Sequence, residues 1–222
     1  MAAFRDAVGQ GYRYLETDVH ASKDGEVFAF HDDDLTRMTG DPVAISTLSA
    51  QEIDAIVLEG GHAIPRLSDL LEAFPDANFN IDAKAWPVVE PLGKLINDMD
   101  VHARVCVGAF EDARLARVVE ITNGKICSSV GPKGGTRFRL AAMTRLPVTF
   151  DAACLQFPPA HKNIPMVTKA SVAYAHKIGL QVHVWTINDE STMHKLLDMG
   201  VDGIMTDDCG LLKSVLQSRN LW

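Results

Sequence analysis

The chain has no apolar run long enough to span a bilayer. Its first residues, Met1-Ala-Ala-Phe-Arg-Asp, bring in polar and acidic groups at once and do not read as a signal peptide. Cysteine is scarce: Cys106, Cys127, Cys154 and Cys209 are scattered and show no CxxC spacing. That excludes a disulfide scaffold or a zinc ribbon as the organising device, and the thiols read as those of a reducing, cytoplasmic compartment. Positive charge is in deficit, with 21 Lys and Arg against 29 Asp and Glu and a net charge of −8. A broad nucleic-acid surface is therefore excluded, but an anionic small-molecule substrate is not, because one bound metal can override the global field. Linkers, low-complexity tracts and internal repeats are also missing, so residues 1–222 read as a single domain.

What is present begins at Glu16-Thr17-Asp18-Val19, followed by Lys23-Asp24-Gly25 and His31-Asp32. Residues two apart on a strand share a face, so Glu16 and Asp18 point the same way. Asp24-Gly25 is a hairpin signal that predicts strands over 14–19 and 27–31, with Asp18 opposite His31 to within a residue. Two carboxylates and an imidazole at one strand end can hold a divalent cation and move a proton. A solvated acidic face and a His-Asp turn are the bland alternatives.

The rest of the chain alternates strand and helix signals. Parallel strands are expected to begin at Tyr14, Phe79, Arg104, Lys125, Ala153, Leu180 and Asp202. Helices are expected over 2–9, 87–98, 111–120, 137–144, 167–178, 190–199 and 211–217, with Gly179 and Gly200 as stops. Residues 41–67 read as irregular, with a short helix near 50–57. This rhythm predicts an α/β fold with a parallel sheet and outer helices. Seven strands, plus an antiparallel return in the hairpin at 14–31, fall one short of a TIM (β/α)8 barrel. The leading helix with no strand before it predicts that the first barrel strand is the missing one.

The sequence resembles the glycerophosphodiester phosphodiesterase family of phospholipase-C-like TIM barrels. The resemblance runs over residues 2–40 and through Ile-Pro-Arg-Leu-Ser-Asp-Leu-Leu from Ile64. It continues in Asn-Ile-Asp-Ala-Lys from Asn80, His-Val-Trp-Thr-Ile-Asn from His183 and Gly-Val-Asp-Gly-Ile-Met-Thr-Asp from Gly200. It implies metal-dependent hydrolysis of a glycerophosphodiester to glycerol 3-phosphate and an alcohol. Glu16 and Asp18 match the family's strand-borne metal ligands, and Asp82 falls where a glutamate ligand is usual. His31, in a His-Asp-x-x-Leu-x-Arg segment with Leu35 and Arg37, matches a catalytic general acid or base. Lys84 matches a phosphate contact, Trp185 lines the pocket, and Gln156 is a further pocket candidate. Oxygen ligands of this kind suit Ca²⁺ or Mg²⁺. Read without the family, Asp82 and Lys84 could be a simple intrastrand pair and Trp185 a core aromatic. His20 flanks the site, and Thr206-Asp207 serves either a turn or the substrate.

Two departures stand out. Asp82 is one methylene shorter than the usual glutamate. The family's opening strand, ending in His-Arg-Gly, has no counterpart here, and Met1 aligns just after the Pro-Glu-Asn-Thr segment that follows it. The expectation is a chain missing on the order of 20–30 residues of its natural N-terminus, about one strand and its connection. A lysophospholipase-D-like lipid enzyme is the first rival reading, disfavoured by an acidic, non-amphipathic surface. An inactive, truncated phosphate-binding module is the second.

Overall fold

The computed structural model describes residues 1–162 and 164–222. These form two compact units, Met1–Ser128 and Ser129–Trp222.

The first unit opens with α1 (Ala2–Gly9) and β1 (Tyr14–Ala21). Along β1 Leu15, Thr17 and Val19 are buried, Glu16 is exposed and Asp18 is half-buried, as strand alternation requires. β2 (Val27–Ala29) returns antiparallel, pairing Val19 with Ala29 and Ala21 with Val27. The turn between them is built as Asp24-Gly25 predicts. Gly25 adopts φ +88°, and the Asp24 carboxylate accepts from Ser22 Oγ at 2.6 Å and from the Ala50 amide at 2.8 Å.

Next come α2 (Thr36–Thr39), α3 (Ala50–Asp54) and a two-residue hairpin pair, β3 (Val57–Leu58) and β4 (His62–Ala63). The stretch read as irregular thus holds a helix with a full capping box between Ser49 and Glu52. It closes a small core of Phe28, Phe30, Leu35, Ile45, Ile53 and Ile64. Phe30 and Leu35 are buried on either side of residues 31–34. Each such side chain contributes about 1.5–3 kcal/mol, enough to pin the segment that carries His31.

α4 (Leu67–Ala73), β5 (Asn78–Ala83), α5 (Trp86–Asp98), β6 (Val105–Gly108), α6 (Asp112–Ile121) and β7 (Cys127–Ser128) complete the unit. The sheet order is β2-β1-β5-β6-β7, parallel except for β2. Phe79, Ile81, Val105 and Val107 bury one face of the sheet. The register places Glu16 beside Asn80 and Asp18 beside Asp82 on the other.

The second unit runs α7 (Pro132–Thr144), β8 (Cys154–Phe157), β9 (Ala160–His161), β10 (Ile164–Pro165), α8 (Lys169–Lys177), β11 (Gln181–Val184), α9 (Glu190–Met199), β12 (Gly203–Ile204) and α10 (Cys209–Ser218). Its parallel sheet has the order β12-β11-β8. Gly200, at φ +85°, caps α9 as expected.

All seven predicted parallel strands exist, four in one sheet and three in the other. Among the described residues no hydrogen-bonded ladder closes them into a barrel. Several elements differ from expectation. α2, α4 and the β3–β4 and β9–β10 hairpins were not foreseen, and α7 begins five residues before the predicted 137. Gly134 and Gly135 hide the start of α7, because glycine weakens a helix by about 1 kcal/mol. Here packing demands them: a Cβ on Gly134 would come within 2.5 Å of Val130, and one on Gly135 within 2.9 Å of the Phe157 ring.

Candidate active site at the ends of β1 and β5

Asp18 and Asp82 are cross-strand partners on parallel neighbours, so their carboxylates emerge side by side from one sheet face. Lys84 lies just beyond the end of β5 and sends Nζ to Asp18 Oδ1 at 3.3 Å. The ammonium therefore reaches across to Asp18, and the simple intrastrand Asp82–Lys84 pair is not the contact made. Lys84 Nζ also sits 5.8 Å from the centre of the Phe110 ring.

The hairpin delivers the imidazole. Phe30 N donates to Asp18 O at 3.0 Å, so the register places His31 one residue past the position opposite Asp18. His31 Nε2 comes to 4.0 Å from Asp18 Oδ2. On its other side His31 Nδ1 lies 2.6 Å from Asp32 Oδ1, and Arg37 Nε donates to Asp32 Oδ2 at 2.6 Å. The Arg37 hydrogen bond, with help from His31, holds the Asp32 carboxyl below its ordinary range. An ionised carboxylate only accepts, so Nδ1 carries the proton and Nε2 is the nitrogen turned toward Asp18.

Two further residues support the site: His20, read from the sequence only as flanking it, and Arg114, which the sequence reading did not assign. His20 is 3% exposed and hydrogen-bonds to the backbone of His31. Burial pushes its pKa down and so favours a neutral ring. Arg114 is buried on α6, with Nη1 donating to Ala83 O at 2.9 Å and to Lys84 O. It clamps the end of β5 where Asp82 and Lys84 emerge. Its signal was an arginine four residues before Val118, on the stripe of α6 that faces the core.

Asp82 is the strained member. Its pKa is pushed up to about 6, first by burial and then by the Asp18 charge, while Lys84, Arg114 and His31 pull it back. Its Oδ1 is buried with no hydrogen-bond partner. A buried, unpartnered carboxylate oxygen beside a second carboxylate is what a hard cation relieves, and the donor types fit Ca²⁺ or Mg²⁺. Glu16, two residues before Asp18 on the same face, is exposed and next in line as a third oxygen donor. Among the described residues no three metal-ligating side chains already converge into a finished metal site.

Gln156 and Trp185 belong to the second unit. Gln156 on β8 pairs in register with His183 on β11 and is half-buried. Trp185 follows β11, half-buried, with its amide donating to Phe157 O at 3.2 Å. His183 packs against Gly203, where a Cβ would approach its ring to 2.9 Å. Thr206 and Asp207 close a turn: Thr206 Oγ1 and the Asp207 amide both donate to Asn188 Oδ1, at 3.0 and 2.9 Å, and Asn188 Nδ2 returns a bond to Asp207. Elsewhere in the first unit a cavity of about 230 Å³ is lined by Asp54, His62, Arg66 and Asp69 and includes none of the candidate site residues. Arg66 there is already bound by Asp54 at 2.5 Å and Glu26 at 3.2 Å.

Comparison with known proteins identifies the family. The profile described as the glycerophosphoryl diester phosphodiesterase family matches residues 1–211. The chain is 38% identical to the protein named probable glycerophosphodiester phosphodiesterase 2 of Mycobacterium tuberculosis, over all of this chain and 86% of that one. It is 26% identical to human lysophospholipase D GDPD1, over 93% of this chain and 78% of the relative. Among solved structures, a putative glycerophosphoryl diester phosphodiesterase from Silicibacter pomeroyi superposes with a TM-score of 0.80 at 20% identity, covering 98% of this chain and 88% of that one. A phosphodiesterase of Oleispira antarctica, solved with its product sn-glycerol-3-phosphate, superposes with a TM-score of 0.76 at 21% identity, covering 97% and 90%. The architecture is thus the α/β fold of that family, whose solved members are TIM barrels. With the match spanning nearly every residue, the chain belongs to the glycerophosphoryl diester phosphodiesterase family and is a phosphoric diester hydrolase.

Proposed function

We propose that the chain hydrolyses glycerophosphodiesters to glycerol 3-phosphate and an alcohol, on a (β/α)8-type scaffold, at the ends of β1 and β5. The observation that carries this reading is the meeting of Asp18, Asp82, Lys84 and His31 where two neighbouring inner strands end, with a buried Asp82 oxygen left unpartnered. Glu16, Asp18 and Asp82 would hold Ca²⁺ or Mg²⁺. When bound, the cation would neutralise phosphate charge and polarise a phosphoryl oxygen.

The remaining work falls to the chain's own groups. Lys84 supplies a positive charge for a non-bridging phosphate oxygen while its contact with Asp18 fixes its position. His31 moves one proton through Nε2, and Asp32 holds the ring in the tautomer that leaves Nε2 available. Arg37 keeps Asp32 ionised, and His20 holds the backbone at His31. Trp185 and Gln156 are proposed as pocket-lining residues. The product bound in the Oleispira antarctica enzyme supports glycerol 3-phosphate as the phosphate-bearing half.

The test is release of glycerol 3-phosphate from glycerophosphocholine by the purified chain with Ca²⁺, with Mg²⁺ and with EDTA, alongside Asp18→Asn. Turnover that needs metal and disappears in the variant is the expected result. A folded chain that binds metal by calorimetry but releases no product would refute the hydrolase reading and leave a phosphate-binding module. The human lysophospholipase D relative favours a second reading, in which the alcohol side of the diester carries an acyl chain. Choline release from lysophosphatidylcholine faster than from glycerophosphocholine would select it.

A further inference from the structure

The net charge of −8 conceals a segment of opposite sign. Residues 121–150 contain Lys125, Lys133, Arg137, Arg139 and Arg145 and no acidic residue. Most of this segment is α7 and the turn after it. The helix uses one face for the core, burying Gly135, Phe138 and Ala141. The opposite face carries Lys133, Thr136, Arg137, Leu140, Met143 and Thr144, which fall within about a third of the helical circumference at 100° per residue. On that outer face Leu140 is 62% exposed and Met143 76% exposed. Arg145 then ends the helix in a left-handed conformation, φ +58°, and the next residue, Leu146, is 60% exposed.

A solvent-facing helix stripe ordinarily carries polar residues alone. This one sets two large apolar side chains, Leu140 and Met143, among cations, and Leu146 adds a third just past the helix end. Arg137 is held by stacking over the Phe150 ring at 5.4 Å, and Arg139 lies against Met166 Sδ at 3.6 Å. Basic groups flanking exposed Leu and Met on a helix are the composition that seats in a lipid interface, apolar side chains below the headgroups and cations beside the phosphates. A second copy of the chain fits poorly. A two-fold contact would bring this cation-bearing patch onto a second patch of the same charge.

We infer that the outer face of α7, with Leu140 and Met143 beside Lys133 and Arg137, together with Arg145 and Leu146 in the turn that follows, docks on an anionic lipid surface. This inference is independent of the catalytic reading, since none of these residues belongs to the candidate site. The acidic surface expected from the overall charge describes the chain as a whole and not this face.

The experiment is vesicle co-sedimentation of the full chain. One set of vesicles is phosphatidylcholine alone, and in the other about a third of the lipid is phosphatidylglycerol. Binding to the anionic vesicles is expected to exceed binding to the neutral ones by about tenfold or more and to weaken steeply with added salt. Arg137→Gln is expected to reduce binding about fivefold, the equivalent of about 1 kcal/mol for one cation near such a surface. The double variant Leu140→Ser/Met143→Ser is expected to reduce it about tenfold or more at every salt concentration. Thermal melts matching the parent chain establish that these surface variants fold. Equal or absent binding to the two vesicle types overturns the inference, as does a folded double variant that binds like the parent. A dimer in sedimentation velocity that the double variant dissolves would also overturn it, by assigning the face to a second copy.

Discussion

Replacing Asp82 with Asn should stabilise the metal-free protein at neutral pH while removing its response to metal. The folded-state pKa of Asp82 is raised from 3.8 to about 6 by burial and by Asp18. The folded form therefore holds its proton more tightly than the unfolded chain. Stability is fully present below about pH 4, falls as pH rises through the window from about 4 to about 6, and stays lower above it. A shift of about 2 units corresponds to at most about 3 kcal/mol at pH 7. Asparagine is neutral at every pH and close in shape, but it leaves one buried polar atom as poorly partnered as before. The expected gain is about 1–3 kcal/mol, or roughly 2–10 °C in Tm for a chain of this size. Urea melts of parent and Asp82→Asn at pH 4 and pH 7 in EDTA measure it. Added Ca²⁺ or Mg²⁺ should stabilise only the parent, by about 2.7 kcal/mol at a hundredfold excess over Kd. A variant less stable than the parent at pH 7 in EDTA would refute the reasoning, and so would a gap that is the same at pH 4 and pH 7.

Lys84→Met removes the cation 3.3 Å from Asp18 and is expected to weaken phosphodiester binding about 10- to 100-fold, read as a rise in KM. Asp32→Asn presents an amide to His31 Nδ1 and disturbs the tautomer, so kcat should fall by roughly 10²-fold. The melting curve should barely move, because ion pairs at exposed positions contribute less than about 1 kcal/mol. Gly135→Ala should lower stability by about 1–2 kcal/mol despite alanine's better helix propensity, since the new methyl meets the Phe157 ring at 2.9 Å. Gly9→Ala, at the end of α1 with nothing within 4 Å, should instead raise stability by up to about 1 kcal/mol in the same denaturant assay.

What could be read in the sequence depended on whether a residue's partner was close along the chain. The hairpin was legible because Asp24-Gly25 fixes a short loop, and that loop brought His31 to within 4.0 Å of Asp18. Strands β1, β5, β6, β8 and β11 were legible because each is a short apolar run beside a helix period. Asp82 beside Asp18 came from the family likeness, since cross-strand register between β1 and β5 is set by packing some 60 residues apart. Arg114 went unassigned, and His20 was read only as a flanking residue, for a related reason. Each serves the site by holding backbone, Arg114 at the end of β5 and His20 at His31, and a bond to a carbonyl leaves no mark on the composition around it. The start of α7 was lost because its two glycines obey contacts with Val130 and Phe157 and not helix propensity. The outer face of the same helix was lost to averaging, as Lys133, Arg137 and the adjoining Arg145 vanish into a total of −8. Charge summed over a chain describes its solubility, whereas charge sorted by helix face describes what it can touch. By that measure α7 and the β1–β5 site are separately specified: one by like charges spaced around apolar side chains, the other by opposite charges drawn together over a buried, unpartnered oxygen.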